Sequence, residues 1–229
     1  MIVQTGSAYR FDNRLTIDTA NANPGWITGV CMLDPQDAES PALLTKMMET
    51  SNLSGLRFGP TAGCTPVFGH DGHQRLLEAS ARLGLVMSVL INVESAGDLS
   101  SFLERFPDTP VALEHCMGLR AGDDDVLRAI FDLSRFSNLY PKLTFIVGGS
   151  REPYPFRDLH PYVLRIVEAY GANRCQWGSA FPCELWAPKV TYSQSLRLFT
   201  EEIPLTDADR QAILADTPLQ LWFPSDGVK

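Results

Sequence analysis

The sequence predicts an α/β fold of the (β/α)8 TIM-barrel type, with seven of the eight β/α units legible. Three observations predict it. Short apolar or β-branched runs alternate with segments of helical periodicity every ~25–35 residues, as parallel strands joined by crossover helices do. The runs are continuously apolar rather than alternating, as expected of strands covered on both faces. No GxGxxG or GxxxxGK[ST] pattern follows any run, so the nucleotide-binding doubly wound sheets lack support.

Strands are expected at residues 1–4, 27–33, 55–58, 85–91, 111–114, 143–147 and 174–177. The helices lie between them. Residues 41–51 place Leu43, Leu44, Met47 and Met48 at helical spacing, and 71–83 do the same with Leu76, Leu77, Ala79, Ala81 and Leu83. Residues 96–106 and 123–136 repeat the pattern, and Asp123, Asp124 and Asp125 suit the positive end of a helix dipole. Residues 158–170 stop at Gly171, a good C-terminal signal. Segments 194–201 and 207–215 close the chain. No low-complexity linker or composition shift divides it, so residues 1–229 are read as one domain.

Composition narrows the function. With 45% hydrophobic and 20% charged residues the chain can bury a sizeable core. Its 19 basic against 27 acidic residues leave a net charge of −8, which argues against a nucleic-acid partner bound by counterion release. No apolar run reaches the ~18–20 residues of a bilayer span, and the N-terminus shows no signal-peptide pattern. Five scattered cysteines without a CxxC pair fit a reducing cytoplasm rather than a disulfide framework or zinc ribbon. The expected partner is a small-molecule substrate.

In a barrel the chemistry gathers where strands end. That selects Ser7, Tyr9, Asp12 and Asn13, then Arg57, then Glu114 and His115, then Trp177, Ser179 and Ala180. His115 closes an apolar run and reads either as a metal ligand or as a hydrogen-bonded core histidine. Arg57 reads as the holder of a substrate carboxylate or as half of a structural ion pair. Tyr9 reads as a hydrogen-bond donor to a ligand or as packing. Cys183 and Glu184 are metal donors or surface residues. His70 and His73 read as a solvated helix entrance rather than a metal pair, His160 as a cap or packing group, and Gly148-Gly149-Ser150 as a tight loop rather than a phosphate cradle.

Five segments in order carry a resemblance. Gly29-Val30-Cys31-Met32-Leu33-Asp34-Pro35 is a strand with a DP turn. Ser54-Gly55-Leu56-Arg57-Phe58 matches a G-[VI]-R strand. Val111-Ala112-Leu113-Glu114-His115-Cys116-Met117-Gly118 is similar to V-[IV]-[LI]-D-H-x-G. Arg174-Cys175-Gln176-Trp177-Gly178-Ser179-Ala180-Phe181-Pro182 is similar to R-[LI]-[ML]-[WF]-G-S-D-[WF]-P, and Ile213 to Phe223 looks like a closing helix. Together they cover almost all of the chain and resemble the amidohydrolase-related family of metal-dependent barrel hydrolases, in the branch of pyrone-dicarboxylate lactonase-like enzymes and non-oxidative decarboxylases.

The resemblance implies a divalent metal, zinc or manganese, with His115 as a ligand. It also implies a small carboxylate-bearing substrate held by Arg57, with Tyr9 and Trp177 lining the site. The reaction would be hydrolysis of a lactone, ester or amide, or decarboxylation. Two departures matter. The family's first strand carries a His-x-His pair, and this chain begins at what resembles the second strand. Ala180 stands where the family has an aspartate that touches the metal and handles the proton of the attacking water. A catalytic zinc normally has three protein ligands, and loss of a positioned general base costs ~10²–10⁴-fold. Impaired catalysis is therefore expected. The alternatives are a non-catalytic ligand-binding or oligomer-subunit relative, or a truncated gene fragment. An open barrel leaves strand edges to be covered, and a homo-oligomer is one arrangement that would cover them.

Overall fold

A computed structural model describes residues 1–3, 6–181 and 189–223. The chain divides into two compact units, one of Met1–Ala112 with the residues from Gln220 onward, the other of Leu113–Leu219. Among the described residues, six strands follow one another in chain order with no reversal, β1-β2-β3-β4-β5-β6. Doubly wound sheets reverse at a switch point, and barrels do not. The fold class is therefore α/β of the TIM-barrel type.

The first unit holds β1 (Ile2–Val3), α1 (Gly6–Tyr9), α2 (Arg14–Ala22), β2 (Gly29–Cys31), α3 (Ser40–Thr50), β3 (Leu53–Phe58), α4 (Asp71–Arg82), β4 (Val86–Val89) and α5 (Ala96–Arg105). Its strands pair in parallel, Ile2 with Gly29, Val30 with Gly55 and Gly55 with Val86. Every residue of β2 and β4 is buried, as the continuous apolar runs require. Gly55 is needed for close approach: a Cβ there would lie 2.6 Å from the Val86 carbonyl oxygen and 3.0 Å from the Trp222 ring. Helix α4 buries Leu76, Leu77 and Ala79, carries Asp71 in its first turn and Arg82 in its last, and is followed by Gly84 at φ +66°.

The boundary between the units falls within β5 (Val111–Leu113). The second unit continues with α6 (Asp124–Asp132), β6 (Leu139–Pro141), α7 (Ile146–Gly149), α8 (His160–Tyr170), α9 (Tyr192–Arg197) and α10 (Asp207–Gln211), and α11 (Thr217–Trp222) starts in it. Here the expected strands shift. The sixth lies at Leu139–Pro141, ahead of residues 143–147, because the Thr144 N–H folds back onto the Lys142 carbonyl at 2.8 Å and Ile146 starts a helical turn. The seventh reduces to one parallel bridge between Lys142 and Gln176, preceded by a 3₁₀ turn at Ala172–Arg174. Arg174 anchors that turn by donating to the carbonyls of Tyr170, Ser134 and Phe136.

Among the described residues, four free cysteines, Cys31, Cys64, Cys116 and Cys175, are buried. Among the described residues, no helix is long and apolar enough to cross a membrane.

Candidate active site

Strand β5 ends at Leu113, and the backbone then makes an uncommon turn. His115, Cys116 and Met117 all adopt left-handed φ, at +51°, +46° and +57°, followed by Gly118 at +71°. Left-handed conformation costs roughly 1–2 kcal/mol for a residue with a side chain, and runs of this kind persist where surrounding structure over-determines them. The turn separates neighbours. Glu114 is buried, with 3% of its side chain exposed, while His115 remains 25% exposed.

A buried counterion meets Glu114. The Lys142 ammonium lies 2.7 Å from its Oε1, with 5% of the lysine side chain exposed. Lys142 directly follows β6, and its backbone N–H donates to the Leu113 carbonyl at 3.0 Å, which fixes the two segments side by side. Two residues on, the Thr144 hydroxyl lies 2.6 Å from His115 Nδ1. His115 Nε2 is 4.0 Å from the second Glu114 oxygen. The bridged segment at Gln176 continues into Gly178, whose missing Cβ would sit 2.9 Å from Thr144 Cγ2 and 3.5 Å from Lys142 Cε. A small, largely apolar cavity of about 10 Å³ lies between Thr144, Gly178, Ser179 and Ser195 and the side chains of Leu143, Ile146, Val147, Leu198 and Phe199. The Cys116 thiol lies 3.5 Å from the Lys142 carbonyl oxygen, and burial pushes its pKa well up, so it stays protonated.

The sequence-derived residues divide between the units. Within the second, His115 is joined by Lys142 and Thr144, which sequence reasoning missed. A signal existed: Lys142 and Glu114 are opposite charges, each stranded in an apolar run. Trp177 donates its backbone N–H to the Ile213 carbonyl at 3.2 Å, and its ring stands edge-on to Tyr192 at 6.1 Å. Ala180 adopts left-handed φ at +49° and offers no polar side-chain atom. Cys183 and Glu184 lie outside the described residues.

Within the first unit, Arg57 is half-buried on β3, and Tyr9, at the end of α1, is 48% exposed. Asn13 is structural: its amide donates to the Met32 carbonyl at 2.7 Å and its Oδ1 accepts the Met32 N–H at 2.9 Å. His70 caps α4, accepting the Gly72 N–H on Nδ1 at 3.1 Å. His73 is not a solvated entrance residue but is 3% exposed, packed against the rings of Phe58 and His70. Burial, then the neighbouring His70, lowers its pKa to about 4, so it is neutral at pH 7.

In the second unit, His160 is buried, and its Nε2 lies 2.7 Å from the Pro155 carbonyl oxygen. Gly149 is not a phosphate cradle, because the Leu119 carbonyl oxygen fills the space within 2.3 Å of where its Cβ would be.

Among the described residues, no group of three His, Cys, Asp or Glu side chains could hold a divalent metal. Glu114 already bonds an ammonium, Cys116 is a neutral thiol, and His115 Nδ1 is committed to Thr144. The described residues do not fit a divalent ion.

Comparison with known proteins agrees with this architecture. The sequence profile of the amidohydrolase family matches residues 2–223. The chain is 22% identical over 238 residues to a 2-pyrone-4,6-dicarboxylate hydrolase of Comamonas testosteroni, a match covering 98% of this chain and 76% of that protein. It superposes with TM-score 0.82 and 21% identity on a putative 2-pyrone-4,6-dicarboxylic acid hydrolase from Pseudomonas putida, covering 96% of this chain and 80% of the other. It also superposes on a zinc-bound amidohydrolase from Burkholderia multivorans, with TM-score 0.70, 18% identity, and coverage of 90% and 76%.

Proposed function

The chain belongs to the amidohydrolase family, and from that premise we propose that it slowly hydrolyses a lactone or related ester in a small molecule bearing carboxylates, with His115 moving the proton. The observation that carries the reading is the placement of His115. Its imidazole is partly exposed at the end of β5, with Thr144 on one nitrogen and Glu114 facing the other. A histidine oriented by a hydroxyl and a carboxylate is suited to general acid–base work near neutrality. Water adds to the ester carbonyl, the ring C–O bond breaks, and a new carboxylate and an enol or alcohol form. Ala180 supplies no second base, which supports slow turnover.

The test is incubation with 2-pyrone-4,6-dicarboxylate, the substrate in the name of the Comamonas relative, followed by loss of pyrone absorbance. Measurable turnover is expected, falling ~10²-fold or more in His115→Asn. Arg57→Met tests the carboxylate-holding role separately, through KM. The second reading is a ligand-binding relative, favoured by the lost oxygen at Ala180. Calorimetric binding of the pyrone without turnover in wild type would establish it and overturn the first.

A further inference from the structure

We propose that Tyr192 and Phe181, with Trp177 behind them, form an aromatic platform that selects a flat, conjugated ring as the body of the ligand. The proposal rests on reading the His115 end of the second unit as the site. Its test uses ligands that cannot be hydrolysed, so a chain without turnover would sink the hydrolase reading and leave this one to be judged by itself.

The argument begins with exposure. Among the described residues of the second unit, three large apolar side chains are exposed, and two of them, Phe181 at 56% and Tyr192 at 47%, touch. Their ring centroids are 5.7 Å apart at 77°, and the Tyr192 ring meets Trp177 at 6.1 Å and 73°. These are edge-to-face contacts, an arrangement that aromatic quadrupoles favour. Water-facing apolar side chains need no explanation when scattered singly. Three rings in contact, running from a half-buried tryptophan out to an exposed phenylalanine, are a continuous surface.

The backbone holds this surface still. Ala180 takes a left-handed φ of +49°, and the Ser179 hydroxyl accepts the Phe181 N–H at 3.1 Å, which fixes the turn that presents Phe181. A left-handed alanine persists where its surroundings over-determine it. Tyr192 opens α9 directly after a capping box, in which the Thr191 N–H donates to Gln194 Oε1 at 2.9 Å and the Gln194 N–H donates to the Thr191 hydroxyl at 3.2 Å. Buried Val190 and Ser195 anchor the segment on either side. Rings already fixed lose little freedom on binding, which is what makes an exposed aromatic side chain a useful contact.

Position decides the occupant. Trp177 precedes Gly178, whose absent Cβ would lie 2.9 Å from Thr144 Cγ2, and the Thr144 hydroxyl meets His115 at 2.6 Å. The platform therefore adjoins the group read as the proton carrier, and its occupant is the small molecule bound there. A flat ring lays its whole face against an aromatic ring, while a puckered one touches through a few hydrogens. Conjugated carbonyl or carboxylate groups withdraw electrons, and an electron-poor ring complements the negative face of Tyr192 or Phe181. Carboxylates in the plane of such a ring stay at its rim, off the aromatic faces.

Calorimetric titration of the full chain with benzene-1,3-dicarboxylate and with cis-cyclohexane-1,3-dicarboxylate tests this. The two ligands carry the same charges at the same ring positions and differ in flatness. Wild type should bind the benzene ligand about tenfold more tightly, a gap of about 1.4 kcal/mol. Tyr192→Leu and Phe181→Leu should each cut that ratio to about threefold, and the double variant should bring it to about one. Tyr192→Phe should keep the wild-type ratio. Both positions are exposed, so the variants should fold as wild type does, and the ratio of two ligands on one protein cancels any loss of competent molecules. Equal affinity for the two ligands in wild type, binding of neither, or a preference that survives in the double variant would each overturn the proposal. So would a wild-type dimer that Phe181→Leu dissolves, because the platform would then be a contact between copies.

Discussion

The two units bury ionisable side chains in opposite ways. In the first, His73 sits inside α4 against the rings of Phe58 and His70, and burial discharges it. In the second, Glu114 and Lys142 are as deeply buried but meet one another at 2.7 Å. A low-dielectric interior leaves a charged group these two choices, neutralise or pair. The difference teaches which one holds other groups in place. A discharged imidazole packs as an aromatic ring. An ion pair is directional, and this one lies beside His115, whose ring Thr144 contacts at 2.6 Å.

The largest effect should come from breaking the pair. Glu114→Gln leaves the Lys142 ammonium buried without an anion and should cost about 3–5 kcal/mol in urea unfolding. The double change Glu114→Leu with Lys142→Met should recover most of that loss, since apolar replacements remove both desolvation penalties. A single mutant costing under about 1 kcal/mol would mean the pair opens readily to water, and the comparison would fail.

The next effect belongs to His73. Its folded pKa of about 4 lies below the unfolded value of about 6.5. The unfolded chain therefore binds a proton in this window that the folded chain refuses. The stabilisation is complete above pH about 6.5 and is lost as pH falls toward 4, by up to about 3 kcal/mol at 1.36 kcal/mol per pKa unit. His73→Phe should flatten that part of the stability profile. An unchanged slope between the two would show that His73 finds a partner on protonation.

The smallest effect is Thr144→Val, worth about 1 kcal/mol in stability. Its sharper readout is the ring-nitrogen spectrum, where the His115 Nδ1 resonance should shift while the Glu114–Lys142 pair persists.

The same contrast explains what was legible in the sequence. Strands β3 and β4 and helices α4 and α5 lie close to their expected positions, because continuous apolar runs and a clean helical stripe follow directly from burial. Helix α2 carried no such stripe: only Thr16 and Ala20 are buried in it, so periodicity had nothing to report. The sixth strand was displaced because Thr144 folds back onto the Lys142 carbonyl and Ile146 starts a helical turn, while Lys142 still bridges Gln176. His115 and Glu114 were visible as strand-end residues. Lys142 was hidden inside an apolar run, where its charge is accounted for only once Glu114 is placed beside it. The left-handed turn at His115 to Met117 left no sequence mark, since none of its residues is glycine or asparagine.

The buried cysteines give each unit its own chemical clock. Burial pushes the Cys31 and Cys175 thiols up to about 12, and Cys116 rises as well, so in the folded chain none of these presents the thiolate that maleimides and disulfide reagents attack. Modification must wait for the structure around each sulfur to open. Labelling at Cys31 therefore times excursions of the first unit, and labelling at Cys116 and Cys175 times those of the second.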